Sequence, residues 1–324
     1  MRRSGVPTTP DPRIWIGLWT IYLFWGSTYL AMRVMVRTIP PVLGASARFL
    51  IAGGVVLAVV ALRERHARRK AAAARVERPR GGTLALDRQQ LALLVGTGIF
   101  VPGIGNSLNT LAVHHATSVT VALLNAAVPL WVILLRRLMR DRVPLVTLLA
   151  VPIGFSGVAV LLLPGSHVGA DGVGIAFALG AGLTWGIGSY ASSRLLRGID
   201  ALVVIGVQMA VASVVQVCLG AGLGEFSDLH PGTFSGESIA ALVFLATIGG
   251  FVSYTAYSWL LQHAPVSQIA TFAFVNPIVA VVLGRVILGE KLGWTGLIGA
   301  AVIVGSVGVT VKAESRLAAR PATS

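Results

Sequence analysis

Apolar residues along this chain come in blocks of about twenty, separated by short polar turns. That length matches a bilayer's hydrocarbon core, roughly 30 Å crossed at about 1.5 Å per residue. Ten blocks are predicted as membrane-spanning helices: 14–36, 41–62, 91–113, 118–135, 145–163, 172–193, 201–220, 238–261, 268–288 and 295–311. The segment 63–90 is the longest polar stretch, rich in Arg and Ala, and is expected to be a loop. Ten spans use most of the 324 residues and leave no room for a sizeable soluble domain. The first block follows a basic segment, yet it is too long for a signal-peptide core and no small-residue cleavage site follows it. It is expected to stay as the first span.

Composition agrees. The chain is 55% hydrophobic and 12% charged, about half the charged fraction of a soluble domain. A net charge of +14 raises the question of nucleic acid, and its placement answers it. With the N-terminus in the cytoplasm, 21 of the 26 lysines and arginines fall in cytoplasmic segments. Arg37 and Lys291 fall on the opposite side, and Arg33, Arg48 and Arg285 lie within spans. Such a split is a topology signal, predicting two cytoplasmic termini and an even number of crossings. The partners expected are therefore the lipid bilayer and a small-molecule substrate, with no nucleic acid. Arg outnumbers Lys 23 to 3, as in a GC-rich bacterial genome, which points to a bacterial inner membrane.

The chain also repeats itself. A shift of 160 places Trp25-Gly26 on Trp185-Gly186, Arg37 on Arg197 and Arg48 on Gln208. A shift of 148 places His115-Ala116 on His263-Ala264, Pro129 on Pro277, Arg137 on Arg285 and Gly157 on Gly305. The longer 63–90 loop absorbs the difference. The two units, 14–163 and 172–311, hold five spans each, and an odd number forces opposite insertion. The fold expected is an all-α integral membrane protein of ten transmembrane helices in two inverted five-helix repeats. In that architecture a substrate site lies near the midplane between the halves.

At this point particular residues carry a family resemblance. Trp25-Gly26-Ser27-Thr28-Tyr29, Ile39-Pro40-Pro41 and Ala47-Arg48-Phe49-Leu50 resemble the opening of EamA-type members of the drug/metabolite transporter superfamily. Ala264-Pro265-Val266-Ser267, Asn276-Pro277 and Leu288-Gly289-Glu290-Lys291-Leu292 resemble the close of the second EamA repeat. The resemblance implies a ten-helix exporter of amino acids, other metabolites or drugs. The first half departs from the pattern, with Asp141-Arg142 where a Gly-Glu pair would sit, so Glu290 has no acidic counterpart.

Ionisable groups inside a bilayer cost about 2.5–3.5 kcal/mol at a helix centre, so they mark candidate pathways. All twelve carboxylates lie in loops or at span ends. Arg48 is the best-placed intramembrane charge. It could pair with a substrate carboxylate, or it could snorkel outward or hold backbone carbonyls at a helix break. Arg33 and Arg285 sit nearer the outer boundary and are expected to snorkel. Trp25 and Trp185 occupy matching mid-helix positions, where they could line a cavity or pack the core. Asn106 with Asn109, and Tyr254 with Tyr257, recur at a spacing of three on the paired third and eighth spans, so each pair shares one face. In lipid such a face must turn inward. Together with Gln208, the mate of Arg48, these are the candidate substrate-binding residues. Asn125 and Asn276 flank the paired Pro129 and Pro277, and a proline removes a helical hydrogen bond. Pro129, Asn276 and Pro277 are the candidate gating residues.

Several function classes are excluded or weakened. Cys218 is the only cysteine, in an apolar stretch, and is expected to pack there. No carboxylate or cysteine completes a ligand set with the scattered histidines, so neither metal nor cofactor is predicted. A membrane enzyme would need paired carboxylates, a His-rich cluster or a Ser/Lys nucleophile within the spans, and none is found. No Gly-x-x-x-x-Gly-Lys-Ser/Thr loop supports ATP-driven transport. The leading expectation is a secondary exporter of small metabolites, amino acids among them, working by alternating access. Efflux of drug-like amphiphiles is the alternative, and a passive channel, which would not require the kinked, duplicated layout, is a third possibility.

Overall fold

The structure is a computed structural model that describes residues 12–73, 86–141, 143–163, 169–195, 198–264 and 266–318. Arg142, Arg197 and Pro265, used above, lie outside these, as do Arg2, Arg3, Arg75, Arg78, Arg80 and Arg320. Among the described residues ten helical units follow one another, with short helical turns at Pro231–Thr233 and Val266–Ile269 between them. They are α1 (Pro12–Met35), α2 (Pro41–Ala73), α3 (Arg88–His115), α4 (Ser118–Leu138), α5 (Leu145–Leu161), α6 (Gly172–Leu195) and α7 (Ala201–Gly222). The unit α8 runs through Gly236–Phe244, Leu245–Val252 and Ser253–His263, followed by α9 (Phe272–Leu288) and α10 (Trp294–Ala318). Seven of the ten are long and apolar enough to cross a membrane. Among the others, α5 and α9 are shorter apolar helices of 17 residues, about 25 Å at the helical rise. The remaining one, α1, has 24 residues and owes its lower hydropathy to its Trp and Tyr content. Leucine, isoleucine and valine side chains stand exposed around the outside, among them Leu50, Ile51, Val214, Val282 and Val286. An exterior of that kind is stable only against lipid.

Two expectations are corrected. The polar stretch after the second span is not a loop from its start. Helix α2 continues to Ala73 with Arg63, Arg65, Arg68, Arg69 and Lys70 on exposed turns, because alanine, arginine and lysine all favour helix. Cys218 is exposed on α7 rather than packed.

The helices pair as two inverted units require. Helix α1 packs on α8 and α9, and its mate α6 packs on α3 and α4, while α2 pairs with α7 and α5 with α10. Close approach of α5 and α10 depends on absent side chains. A Cβ on Gly299 would come within 2.5 Å of the Leu161 nitrogen and 2.7 Å of the Gly157 oxygen. The backbone itself would have to move.

The symmetry is not complete along the bundle. Call the end where α1 begins and α10 finishes the terminal end, and the other the distal end. At the distal end α1 packs against Asn106–His115 of α3 and Ser118–Asn125 of α4, and α9 also meets that part of α4. Inversion would carry these contacts to α6 against Ser253–His263 and against the start of α9, at the terminal end. Among the described residues the contacts there are at most grazing, and the distal ends are drawn closer together than the terminal ends.

Candidate functional site

Two stretches of π-helix frame the middle of the bundle. Ile99–Gly105 interrupts α3 and Leu245–Val252 interrupts α8, at positions that overlap under the 148-residue shift. A π turn leaves a backbone carbonyl without its usual partner, and such turns concentrate at functional sites. Both stretches are met by a side chain from another helix. Gln216 Nε2 donates to the Pro102 carbonyl at 3.1 Å, and Trp25 Nε1 donates to the Gly249 carbonyl at 3.3 Å. Immediately after the π stretches come the candidate faces, Asn106 with Asn109 and Tyr254 with Tyr257.

On the α8 side these residues form an aromatic cluster. The Trp25 ring lies 5.3 Å from Tyr254, 5.2 Å from Tyr257 and 5.2 Å from Phe272. All three distances fall in the range of favourable ring pairs. Tyr254 also packs against the cluster of Phe49, Ala52, Met209 and Ala212, and so connects the aromatic rings to α2 and α7.

Arg48 stands beside this junction, within electrostatic reach of Tyr254. It is only 6% exposed, so it does not snorkel. Its guanidinium carbon lies 4.6 Å from the centroid of the Phe49 ring. Its Nε and Nη1 atoms are buried and have no hydrogen-bond partner. Each buried donor left unpaired costs about 1–3 kcal/mol, more when charged. Neutral polar atoms are orphaned in the same way at Asn106 Oδ1 and Asn276 Oδ1.

The remaining candidates divide. Asn109 accepts a hydrogen bond from Asn125 Nδ2 at 2.7 Å, which ties α3 to α4. Gln208, the mate of Arg48, donates to the Thr97 hydroxyl at 2.9 Å. Trp185 is half-buried on α6, whose close neighbour is Asn106–His115, and is not part of the Trp25 cluster. Pro129 and Pro277 act differently despite their matching positions. Helix α4 breaks at Ala126–Ala127 with Pro129 at the start of the second piece. Helix α9 runs through Pro277, and the break comes before it, at Ala270–Thr271, which separates the short helix Val266–Ile269 from α9. The Thr271 hydroxyl there donates to the Gln268 carbonyl at 2.5 Å and also meets the Tyr22 hydroxyl.

Phe272 was not anticipated, because an apolar residue in an apolar block gives no periodic signal. Arg33 was expected to snorkel, and its guanidinium instead reaches the end of α3. Nη1 donates to the carbonyls of Val113 at 2.6 Å and His114 at 2.9 Å. Glu290 accepts from Ser118 N at 2.9 Å, from Val119 N at 3.0 Å and from the Ser118 hydroxyl. Next to this end, the Gly174 backbone N–H and then His115 hold the exposed Asp171 carboxyl below the usual carboxylate range.

Ten apolar helices in two inverted halves, with polar side chains gathered at mid-depth, define an integral membrane transporter. The EamA-like transporter family matches residues 14–163 and 172–312, and the chain belongs to that family. It is 28% identical over 306 residues to the Escherichia coli strain K12 protein named "uncharacterized inner membrane transporter YedA", covering 94% of this chain and 92% of that one. The Salmonella typhimurium strain LT2 protein PagO is 23% identical over 275 residues, 84% of each chain. A solved crystal structure at 22% identity covers 95% of this chain and 99% of its own, with a TM-score of 0.60. That likeness shows the same fold.

Proposed function

We propose that the protein is a secondary transporter exporting small organic metabolites, amino acids among them, by alternating access. Its site holds a substrate anion at Arg48 and packs the substrate body against Trp25, Tyr254, Tyr257 and Phe272. One observation carries this reading: a buried guanidinium with two unpaired nitrogens, next to a cluster of four aromatic rings. A buried donor without a partner calls for one, and a substrate anion entering the site would supply it here. The free oxygens of Asn106 and Asn276 can accept from an amine or hydroxyl. Pro129, Asn276 and Pro277 lie on the helices whose interruptions sit one turn apart in the two halves, and these helices are assigned the gating. Efflux of amphiphilic drugs remains the second reading, favoured by the aromatic cluster alone.

Binding tests the site directly. In a panel of organic acids, amino acids and neutral metabolites, a true substrate at 100 times its Kd should stabilise the purified protein by about 2.7 kcal/mol. A panel in which only lipophilic cations stabilise would favour the drug reading.

Direction of export rests on the distal end facing outward, as the charge split indicates. In a Cys218→Ser background, Ser235→Cys should react with an impermeant maleimide on intact cells. Ala72→Cys should react only after lysis. Equal labelling of both in intact cells would reverse the orientation.

A further inference from the structure

We infer that Arg33 and Glu290 form a two-point latch that holds the distal side of the transporter shut, making the state open at the terminal end the resting one. The inference rests on the alternating-access reading above. It begins with the α3–α4 hairpin at the distal end. The last turn of α3 presents carbonyls without helical partners, and the first turn of α4 presents free N–H groups. The two ends also carry opposite partial charges from their helix dipoles.

Each end is met by the matching charge. The Arg33 guanidinium sits on the α3 carbonyls of Val113 and His114. The Glu290 carboxylate sits on the α4 nitrogens of Ser118 and Val119 and on the Ser118 hydroxyl. Arg33 belongs to α1, and Glu290 follows directly on α9. Both reach across from the α1–α8–α9 group to the α3–α4–α6 group. Among the described residues, other distal bonds lie within one group, Arg37 with Glu237 and Ser238 with the Val34 carbonyl joining α1 to α8, while the Thr110 hydroxyl makes a weaker contact across the seam to Met32 Sδ at 3.9 Å. Glu225 joins the end of α7 to the start of α2.

The seam is built for close approach at this point. A Cβ on Gly284 of α9 would fall 2.6 Å from Val119 Cγ2 and 2.8 Å from Glu290 Oε2. The packing asymmetry described above places the closed seam at the distal end and the open one opposite. The sequence gives the opposite end no equivalent latch. Inversion puts Ser193 in the place of Arg33 and Arg142 in the place of Glu290. A cation cannot cap a helix N-terminus as the carboxylate does.

The test places a cysteine in the seam. Ala112 is fully buried in the same cluster as Ala31 and Met32 of α1. In the Cys218→Ser background, Ala112→Cys should react slowly with an impermeant maleimide applied to the distal side. Adding Glu290→Gln or Arg33→Gln removes one charge-assisted contact and should raise that rate about tenfold or more, whereas Glu290→Asp should raise it less. Unchanged rates in both neutral variants would overturn the latch. As a second arm, in which a covalent bridge stands in for the Glu290 contact, Ser118→Cys with Glu290→Cys should be bridged by a short reducible bifunctional thiol reagent. Transport should stop on bridging and return on reduction, and transport that continues while bridged would contradict the inference. Labelling needs no substrate, so an error in the substrate class leaves the first arm intact.

Discussion

Arg48→Gln should reduce transport by about tenfold to a hundredfold while leaving the protein at normal abundance in the membrane. The expected size follows from the contact removed. A hydrogen bond to a charged group contributes about 1.5–3 kcal/mol, and each 1.4 kcal/mol is a factor of ten. Stability should move the other way or not at all. The unliganded side chain is a buried cation with two unpaired nitrogens, so replacing it with a neutral amide relieves a cost. Glutamine already occupies the inverted position, where Gln208 bonds Thr97 at 2.9 Å. A structural arginine would behave differently: its loss would lower stability and transport together. Thermal unfolding measured beside transport separates the two, and full transport in the variant would remove Arg48 from the site.

The second large effect concerns what the site refuses. Tetraphenylphosphonium should show at least a hundredfold weaker affinity than a preferred carboxylate substrate. Two unit charges about 5 Å apart repel by about 3 kcal/mol at an effective dielectric constant of about 20. Desolvating an unpaired cation adds several kcal/mol more. The aromatic faces at Trp25, Tyr254 and Tyr257 return only about 1–2 kcal/mol by cation–π attraction. No carboxylate among the described residues stands at mid-depth to supply the rest. Glu225 and Glu290 are held at helix starts at the distal end. Equilibrium binding to the purified protein reads this out. Micromolar binding, competed by other lipophilic cations, would contradict it and favour drug efflux.

Much of the architecture was legible because it follows from two coarse physical constraints. Block length fixes the number of crossings, and an odd number of spans per repeat fixes their inversion. The pairing of Trp25 with Trp185, and of Asn106 and Asn109 with Tyr254 and Tyr257, points to α1, α6, α3 and α8, of which α1 packs on α8 and α6 on α3. Local geometry was not legible. The π stretches carry no composition of their own: one contains Pro102 and the other contains Gly249 and Gly250. The distance of Arg33 from the helix end suggests snorkelling, whereas a neighbouring helix offers the Val113 and His114 carbonyls within hydrogen-bond reach. Glu290 was discounted for lacking an acidic mate. Yet that missing mate distinguishes a latched end from an unlatched one, and repeat symmetry alone hides it. The break ahead of α9 lies one turn before the position that Pro277 would suggest, at the Thr271 and Gln268 contact, because a hydroxyl bonded to a backbone carbonyl can redirect a helix as a proline does.

Counterflow in proteoliposomes tests the central claim most directly. Vesicles loaded with an unlabelled organic carboxylate or amino acid that stabilises the protein should accumulate the same labelled solute transiently. Protein-free vesicles should not, and vesicles bearing Arg48→Gln should do so at least about tenfold more slowly. Trans-stimulation of that kind requires a site exposed alternately to each side. Uptake without any overshoot, equal for the original chain and the Arg48→Gln variant, would contradict a carrier that binds its substrate at Arg48.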